Sequence, residues 1–199
     1  MTAKRLPRAF YARPTLEVAA ALIGKVLVHR TSDGPAAGRI VEVEAYIGED
    51  DPACHAAPGP TPRNAPLYER PGVAYVYLNY GLHFLTNVVT EREGFPAAVL
   101  LRALEPVEGL PLMRRRRAAA NGRTPPDAEL CRGPGNLSKA LGITLAQNRA
   151  DLLGPVLWLE DRGFAHNGIA WSPRVGIRVG TEHPWRCAEV GCRSVSGRR

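Results

Sequence analysis

The sequence lacks the cysteine patterns and the long apolar runs that mark metal-binding, disulfide-rich and membrane-spanning proteins. None of its four cysteines forms a CxxC pair, and no Cys/His cluster has zinc-finger spacing. We therefore expect reduced thiols and neither a metal nor another cofactor, although Cys187 and Cys192 are close enough in sequence to pair. The apolar run after Pro14 is broken by Glu17 and is far shorter than the ~20 apolar residues that span a bilayer. A soluble, cytoplasmic protein is the expectation.

Internal repeats and low-complexity segments are also absent, and lysine is scarce. The 199 residues, 45% of them hydrophobic, suit one globular domain over residues 1–199, with frayed tails at residues 1–6 and 197–199. Lysine occurs only at Lys4, Lys25 and Lys139, so arginine supplies most of the 26 basic residues. The net charge of +7 favours a polyanionic partner, nucleic acid before an anionic membrane, unless it only solvates the surface.

Short apolar segments separated by tight turns predict an α+β domain with a largely antiparallel sheet. The predicted strands are residues 25–30, 39–47, 73–81, 83–90, 97–104, 156–160 and 174–179, and the predicted helices are residues 14–23, 106–120 and part of 133–143. The helix at 106–120 carries four consecutive arginines, Arg114 to Arg117, in its last turns. Cations stabilise a helix C-terminus, but four exceed what capping needs, so their role stays open.

The strand RIVEVEAY, residues 39–46, is the most informative segment. Side chains alternate along a strand, so Glu42, Glu44 and Tyr46 share one face. The other face, formed by residues 41, 43 and 45 (two valines and an alanine), is expected to point to the core. Charged groups rarely face an interior unless they are paired or take part in chemistry. A general base beside an aromatic stacking surface is one explanation, and a buried salt bridge is another.

Two further segments carry candidate binding residues. The loop at residues 48–71 is long for a compact domain and contains His55 and the segment TPRN, and loops of this length are commonly functional or disordered. The strand that follows, VAYVYLNYG, is rich in tyrosine and places Tyr75 and Tyr77 on one face. Read alone, strand tyrosines usually pack within the sheet, and a lone loop histidine is usually solvated.

Taken together, these motifs resemble one enzyme family. In order and spacing, the chain from about Pro7 to Ser196 is similar to the alkyladenine (3-methyladenine) DNA glycosylases, and the matching pieces are RIVEVEAYIG, His55, TPRN, PGVAYVYLNYG, Asn87 and LLRALEP. The resemblance implies a curved antiparallel sheet flanked by helices. It also implies a monomeric, metal-free enzyme of base excision repair, without a membrane partner and nucleoid-associated if bacterial. Its partner would be double-stranded DNA containing damaged purines, which it flips out of the duplex and excises.

The resemblance assigns the chemistry to three positions. Glu44 would be the general base that activates a water for attack on the sugar C1′, and its charge would stabilise the oxocarbenium-like transition state. Arg102 would lie against Glu44 and the water, where a guanidinium favours an ionised carboxylate. The backbone carbonyl of Val175 would complete the shell of that water.

The resemblance assigns recognition to further positions. Tyr46, His55 and Tyr77 would enclose the flipped base, because aromatic rings stack on many bases, cationic ones included. Asn87 would reject the 2-amino group of guanine.

At the DNA surface, Tyr80 would be the wedge that fills the gap left by the flipped nucleotide. Arg63 and Leu82 would contact the DNA beside it.

Three alternatives remain open from the sequence. A glycosylase with lyase activity needs an amine nucleophile, and no lysine lies in a motif segment. A helix-hairpin-helix glycosylase is suggested only by the segment GPGNLSKALGI, and such enzymes are mainly helical. A DNA-binding protein that recognises lesions without cleaving them is compatible with the charge and with Tyr80. The preferred lesion among 3-methyladenine, hypoxanthine and ethenoadenine also stays open, as does the identity of any general acid.

Overall fold

A single antiparallel sheet dominates the computed structural model, which describes residues 3–197. Every strand pairing in that range is antiparallel. The strands are β1 (Lys4–Arg5), β2 (Val26–Thr31), β3 (Gly34–Ile47), β4 (Ala74–Asn79), β5 (His83–Val89), β6 (Ala97–Glu108), β7 (Leu157–Asp161), β8 (Ile169–Ser172) and β9 (Arg186–Glu189). The α-helices are α1 (Arg8–Tyr11), α2 (Thr15–Leu22), α3 (Leu110–Arg117) and α4 (Pro134–Leu141). The predicted α+β class is confirmed.

The long strand β3 joins two parts of the sheet. The main strand order is β1-β7-β2-β3-β6-β5-β4, and β9 pairs with both β3 and β8. The first half of β3 pairs with β2, whereas Glu42–Glu44 pair with β9. One edge of β3 therefore changes its partner from β2 to β9, at the point where the two carboxylates begin.

Two compensating bulges lie at this point. The register of β3 on β6 passes from Ile40 opposite Leu104 to Glu42 opposite Ala103, which leaves Val41 as an extra residue. The next shift leaves Arg102 as the extra residue of β6. A bulge redirects side chains, and bulges are common beside active sites. Here the shift on β6 directs Arg102 towards the carboxylates of β3.

The main apolar core lies between one face of the sheet and the helices α2 and α4. It includes Val43 and Ala45 of β3, as the alternation predicted, and Leu22 of α2 and Leu141 of α4. Val41, which the alternation also placed on the core face, is buried in the bulge but is not part of this cluster. Burial of each large aliphatic side chain contributes about 1.5–3 kcal/mol, so this layer fixes β3 firmly.

Two predicted elements differ from the structure. Residues 106–108 continue β6 instead of starting a helix, and α3 begins only after Gly109, whose φ of 78° turns the chain. A Cβ at Gly109 would lie 2.5 Å from the Pro35 carbonyl oxygen, so only glycine allows this approach. Residues 174–179 form an irregular loop, and the sheet instead ends with β8 and β9.

The N-terminal tail is more ordered than predicted. Lys4 and Arg5 pair with β7, and Leu6 is 6% exposed, so the expected fraying is wrong for residues 4–6. Residues 1–2 and 198–199 lie outside the described residues. Cys187 and Cys192 are both free thiols, and Cys187 belongs to the core. No helix within residues 3–197 is long and apolar enough to cross a membrane.

All four arginines at the end of α3 bind groups of the protein itself. Their partners, in chain order from Arg114, are the Asp127 carboxylate, the Asp33 carboxylate, the Ala140 carbonyl and the Leu130 carbonyl. The run therefore attaches α3 to neighbouring segments, which gives it a structural role.

Candidate active site

A cavity of about 290 Å³ opens on the face of the sheet that carries Glu44. Ligand pockets usually enclose about 300–1,000 Å³, so this one suits a single flat ring system. Its lining comes from β3, β4, β5, β6, the loop around His55 and the irregular loop at 174–179. The lining residues are Tyr46, Ala53, Cys54, His55, Leu67, Tyr75, Tyr77, Asn79, Tyr80, Leu85, Asn87, Ala98, Leu100, Arg102, Pro134, Val175, Gly176 and Ile177.

Glu44 lies behind this lining and receives three donors. Its side chain is fully buried, and the Tyr46 hydroxyl donates to its Oε2 at 2.9 Å. Arg102 Nη1 lies 3.1 Å from the same oxygen, and the Val175 N–H donates to Oε1 at 2.7 Å. All three donors line the cavity. The carboxylate therefore contacts the cavity wall from behind, through three residues that the sequence assigned to the site.

The Val175 contact differs from the expected one. The N–H group binds Glu44 directly, whereas the sequence prediction concerned the carbonyl of this residue. Val175 was also expected in a strand, and it lies instead in the irregular loop. Val175 therefore lies beside Glu44, and the group in contact is its N–H and not its carbonyl.

Arg102 is held between two carboxylates. Its Nε donates to Glu42 Oε1 at 2.9 Å, and Nη1 lies against Glu44. Burial alone would lower the pKa of this guanidinium, but Glu44 and Glu42 outweigh burial and raise it. The cation is thus fixed in charge and in direction by the bulge and by its two acidic partners.

Glu42 also ties the C-terminal segment to this centre. It accepts from Arg186 Nε at 2.7 Å and from the Ser196 N–H at 2.5 Å. The Ser196 hydroxyl accepts from Arg102 Nη2 at 3.2 Å. The sequence analysis placed Glu42 on the correct face but gave it no role, because its partners come from residues about 60 to 154 positions away.

The aromatic residues form two walls. The ring centroids of His55 and Tyr77 are 4.5 Å apart, with an angle of 62° between the rings. A base stacked on both sides needs two contact distances of about 3.5 Å, so it does not fit between these two rings. Tyr46 also lines the cavity, on β3. Tyr46 and the His55–Tyr77 pair therefore all border the cavity, and a flat ligand does not fit between the two rings of the pair.

Burial keeps these aromatic groups neutral. It lowers the pKa of His55, and Arg63 lowers it further, so the imidazole is neutral at pH 7. Its Nδ1 lies 2.8 Å from the Tyr75 hydroxyl, and burial raises the pKa of Tyr75 to about 12. Burial, assisted by Glu44, also raises the pKa of Tyr46 well above its usual value. The Tyr46 hydroxyl therefore remains a donor to Glu44.

Asn87 is a rigid part of the cavity wall. It lies on β5 opposite Leu100, and both residues line the cavity. The Asn87 side chain is buried, and Nδ2 donates to the Tyr75 carbonyl at 3.0 Å. This hydrogen bond prevents the amide from turning away from a ligand.

The hairpin between β4 and β5 presents apolar side chains at the rim. Tyr80 and Leu82 are 89% and 76% exposed. Tyr80 has a φ of 48° and Gly81 one of 68°, and the Leu82 N–H donates to the Asn79 carbonyl. This is a type I′ turn, and the left-handed conformation costs a residue such as tyrosine about 1–3 kcal/mol. An exposed aromatic residue held in a strained turn points to a binding function.

Arg63 lies beside this hairpin. Its Nη2 donates to the Leu78 carbonyl at 3.4 Å, and its guanidinium carbon is 5.5 Å from the Tyr77 ring centroid. The structure thus brings all ten predicted site residues to one region. Glu44 lies behind the cavity lining, while Arg63 and Leu82 lie outside it near the rim.

The structure bears on two of the alternatives. Among residues 3–197, which include all three lysines, no lysine lines the cavity, and no three His, Cys, Asp or Glu side chains lie together as metal ligands. The mainly helical architecture that a helix-hairpin-helix enzyme requires is contradicted by the nine-stranded sheet. The segment GPGNLSKALGI forms α4, which packs on the sheet.

One buried ion pair near the cavity was missed by the sequence analysis. Asp51 and Arg174 form a bidentate pair, with distances of 2.6 and 2.8 Å. Arg174 is the residue before Val175, and its alternating neighbours suggested a strand. No local sequence pattern identifies the pair, because the two residues are 123 positions apart.

Comparison with known proteins agrees with this geometry. The sequence profile of the methylpurine-DNA glycosylase (MPG) family matches residues 9–193. A protein of Chlorobium phaeobacteroides is 45% identical over 198 residues, which cover 98% of this chain and 97% of that protein. One of Methanocella arvoryzae is 48% identical, with 97% and 96% covered, and one of Burkholderia lata is 47% identical, with 96% and 91% covered. Each relative is named, provisionally, as a 3-methyladenine DNA glycosylase.

These matches extend over nearly the whole chain and include every motif on which the resemblance rested. They confirm that resemblance and the prediction of a DNA glycosylase. The chain belongs to the methylpurine-DNA glycosylase family.

Proposed function

We propose that this protein acts as a monomer that hydrolyses the N-glycosidic bond of alkylated or deaminated purines in double-stranded DNA. The observation that carries the proposal is the position of Glu44, a buried carboxylate whose three donors all line an aromatic cavity of the size of one base. The family and the names of the relatives support the reaction type. The individual lesions belong to the proposal.

Glu44 serves as the general base in this proposal. A carboxylate has about four lone-pair positions, and three are occupied by Tyr46, Arg102 and Val175. The fourth can accept a proton from a water that attacks C1′. Because the developing oxocarbenium ion is positive, the nearby carboxylate also stabilises it. Arg102, fixed by Glu42, holds Glu44 in a single orientation.

The flipped base lies between Tyr46 and the His55–Tyr77 pair. Stacking on aromatic side chains contributes about 1–3 kcal/mol per base and tolerates different bases, which suits 3-methyladenine, hypoxanthine and ethenoadenine alike. Asn87 obstructs the 2-amino group that distinguishes guanine from hypoxanthine, and its hydrogen bond to the Tyr75 carbonyl keeps it in place.

Side chains at the rim of the cavity keep the flipped nucleotide outside the duplex. Tyr80 enters the space left by the flipped nucleotide, Leu82 packs beside it, and Arg63 binds phosphate. Extrusion of a nucleotide costs a few kcal/mol of stacking, which an inserted side chain partly offsets. The net charge of +7 supports attraction to the phosphate backbone.

The direct test is incubation with duplexes that each contain one lesion, followed by measurement of abasic sites. We expect abasic sites with the wild-type protein and none above background with Glu44→Gln. Tight lesion binding by the wild type without abasic sites would instead identify a lesion-binding protein without catalysis. Borohydride trapping of a covalent complex would identify a lyase, which the absence of lysine from the lining of the cavity, among residues 3–197, makes unexpected.

A further inference from the structure

The pair formed by Asp51 and Arg174 lies at the back of the cavity. Both side chains are fully buried. Arg174 Nη1 also donates to the Ala45 carbonyl at 3.0 Å, and Nη2 donates to the Gly180 carbonyl at 3.2 Å. A Cβ at Gly180, where φ is 64°, would lie 2.9 Å from Arg174 Nη2. Both terminal nitrogens of this guanidinium are therefore held by Asp51 and by backbone carbonyls.

The pair connects three parts of the cavity wall. Asp51 Oδ2 accepts from the Ile47 N–H at 3.3 Å, next to Tyr46 at the end of β3. Asp51 Oδ1 accepts from the Ala53 N–H at 3.1 Å, at the start of the turn that carries His55. Arg174 immediately precedes Val175, whose N–H binds Glu44.

Arg174 also supports a stacking wall directly. Its guanidinium carbon is 4.7 Å from the centroid of the Tyr46 ring and 5.1 Å from that of Trp185. Such cation–π contacts fix the orientation of a ring when the cation itself cannot move. The bidentate pair with Asp51 provides that restraint, because the planar fork of arginine matches a carboxylate in one geometry.

We propose that Asp51 and Arg174 are positioning residues that set the width of the base slot and the orientation of Glu44. The proposal rests on the proposed glycosylase function, since the slot is the one that receives the damaged purine. A buried ion pair is weak evidence for stability, because desolvation of the two charges offsets most of their attraction. The contacts to Tyr46, to the turn before His55 and to Val175 give this pair a different purpose.

A matched ion pair elsewhere in the sheet provides the control. Arg39 and Glu189 are also buried and lie 2.6 Å apart, and neither residue lines the cavity. Variants Arg174→Lys and Arg39→Lys make the same change in the two pairs. Lysine keeps the charge but loses the bidentate contact and the flat stacking surface.

The test compares excision and binding in these variants, with single-turnover kinetics at saturating protein. We expect Arg174→Lys to lower the excision rate constant by about 100-fold, the effect of a misplacement of about 1 Å at a reacting centre. Affinity for undamaged duplex should remain unchanged. Arg39→Lys should lower the melting temperature to a similar degree yet keep the wild-type rate constant. If Arg174→Lys also keeps that rate constant, charge alone suffices and the proposal is overturned.

Asp51→Asn provides the second arm, which decides the question should Arg174→Lys fail to fold. We expect Asp51→Asn by itself to lower the excision rate constant, and a wild-type rate constant in this variant would overturn the proposal. Where both single variants fold, the double variant should be no slower than the slower single variant, because both changes release one contact. Independent, multiplicative effects would overturn the proposal. Absence of excision by the wild-type protein would instead contradict the proposed function, so the two failures are distinguishable.

Discussion

Glu44 and Tyr80 belong to the same cavity, one behind its lining and the other at its rim, in opposite environments. Glu44 is fully buried on β3, next to the two bulges, and its carboxylate has three donors. Tyr80 is 89% exposed in a strained turn, and nothing in the described structure covers its ring. Under the proposed function, a general base that must act in one geometry needs fixed partners, whereas a wedge must remain free until DNA provides its contacts. The proposal thus assigns bond cleavage to the buried residue and DNA distortion to the exposed one.

The largest expected effect is at the buried end of this comparison. Glu44→Gln should lower excision by about 1,000-fold, because general bases contribute about 10²–10⁴. The lesion should still bind, because the slot keeps its shape. The amide NH₂ group would face donors that now meet a carboxylate, so we also expect a loss of about 1–3 kcal/mol in the free energy of unfolding.

The matched control for this prediction is Glu189→Gln. Glu189 is another buried glutamate, paired with Arg39 and outside the lining of the cavity. The Glu189→Gln variant should have a lower free energy of unfolding but the wild-type excision rate. Near-wild-type turnover in Glu44→Gln would show that the buried carboxylate is structural. Glu44 and Tyr80 would then no longer differ as a catalytic residue and a DNA-binding residue.

A smaller effect is expected at the rim. Tyr80→Ala should weaken affinity for a lesion duplex by about tenfold, since the wedge offsets part of an unstacking penalty of a few kcal/mol. The rate constant at saturating protein should change less. Stability should stay within about 0.5 kcal/mol, because the ring is exposed.

Val190→Ala, a change of another exposed side chain outside the cavity lining, controls for general surface effects. Equal affinities of Tyr80→Ala and wild type, measured by fluorescence anisotropy with a lesion duplex, would exclude Tyr80 as the wedge.

Asn87 lies between the two extremes, because it is buried but lines the cavity. Asn87→Ser should raise the release of normal guanine by about tenfold, because a shorter side chain leaves room for the 2-amino group. The lost hydrogen bond to the Tyr75 carbonyl should cost about 1 kcal/mol. The measurement is guanine and hypoxanthine release from otherwise identical duplexes. An unchanged ratio of the two rates would place guanine selectivity elsewhere.

The regular strands account for most of what the sequence could predict. Strict alternation placed Glu44 and Tyr46 on one face of β3 and Val43 and Ala45 in the core, and the structure agrees. That reasoning works because one face of the sheet is buried and the register is therefore well determined. The family resemblance then gathered distant segments into one site, which periodicity alone cannot do.

The irregular parts were missed for physical reasons. Alternation carries no signal for the bulge that leaves Arg102 unpaired on β6. The segment at 174–179 alternates like a strand, yet the Asp51 pair and the Gly180 turn hold it in a loop. Pro106 resembled a helix start, although the strand pairing of β6 continues through it to Glu108. Each error reflects a long-range contact that outweighs local preference.

The smallest expected effect concerns the pH dependence of stability at two histidines, the partly buried His55 in the cavity lining and the buried His29 outside it. Burial lowers the pKa of His29, where Nδ1 contacts the Leu141 carbonyl, and Arg116 lowers it further. Burial also lowers that of His55. The unfolded chain therefore binds protons more readily, so stability is complete above about pH 6.5 and falls as the pH drops towards the folded values. His29→Gln should reduce this fall in urea melts and keep the pH profile of excision, because only His55 lines the cavity. If His29→Gln shifts the pH profile of excision as well, protonation of His29 is coupled to the cavity, and the expected separation of the two histidines is wrong.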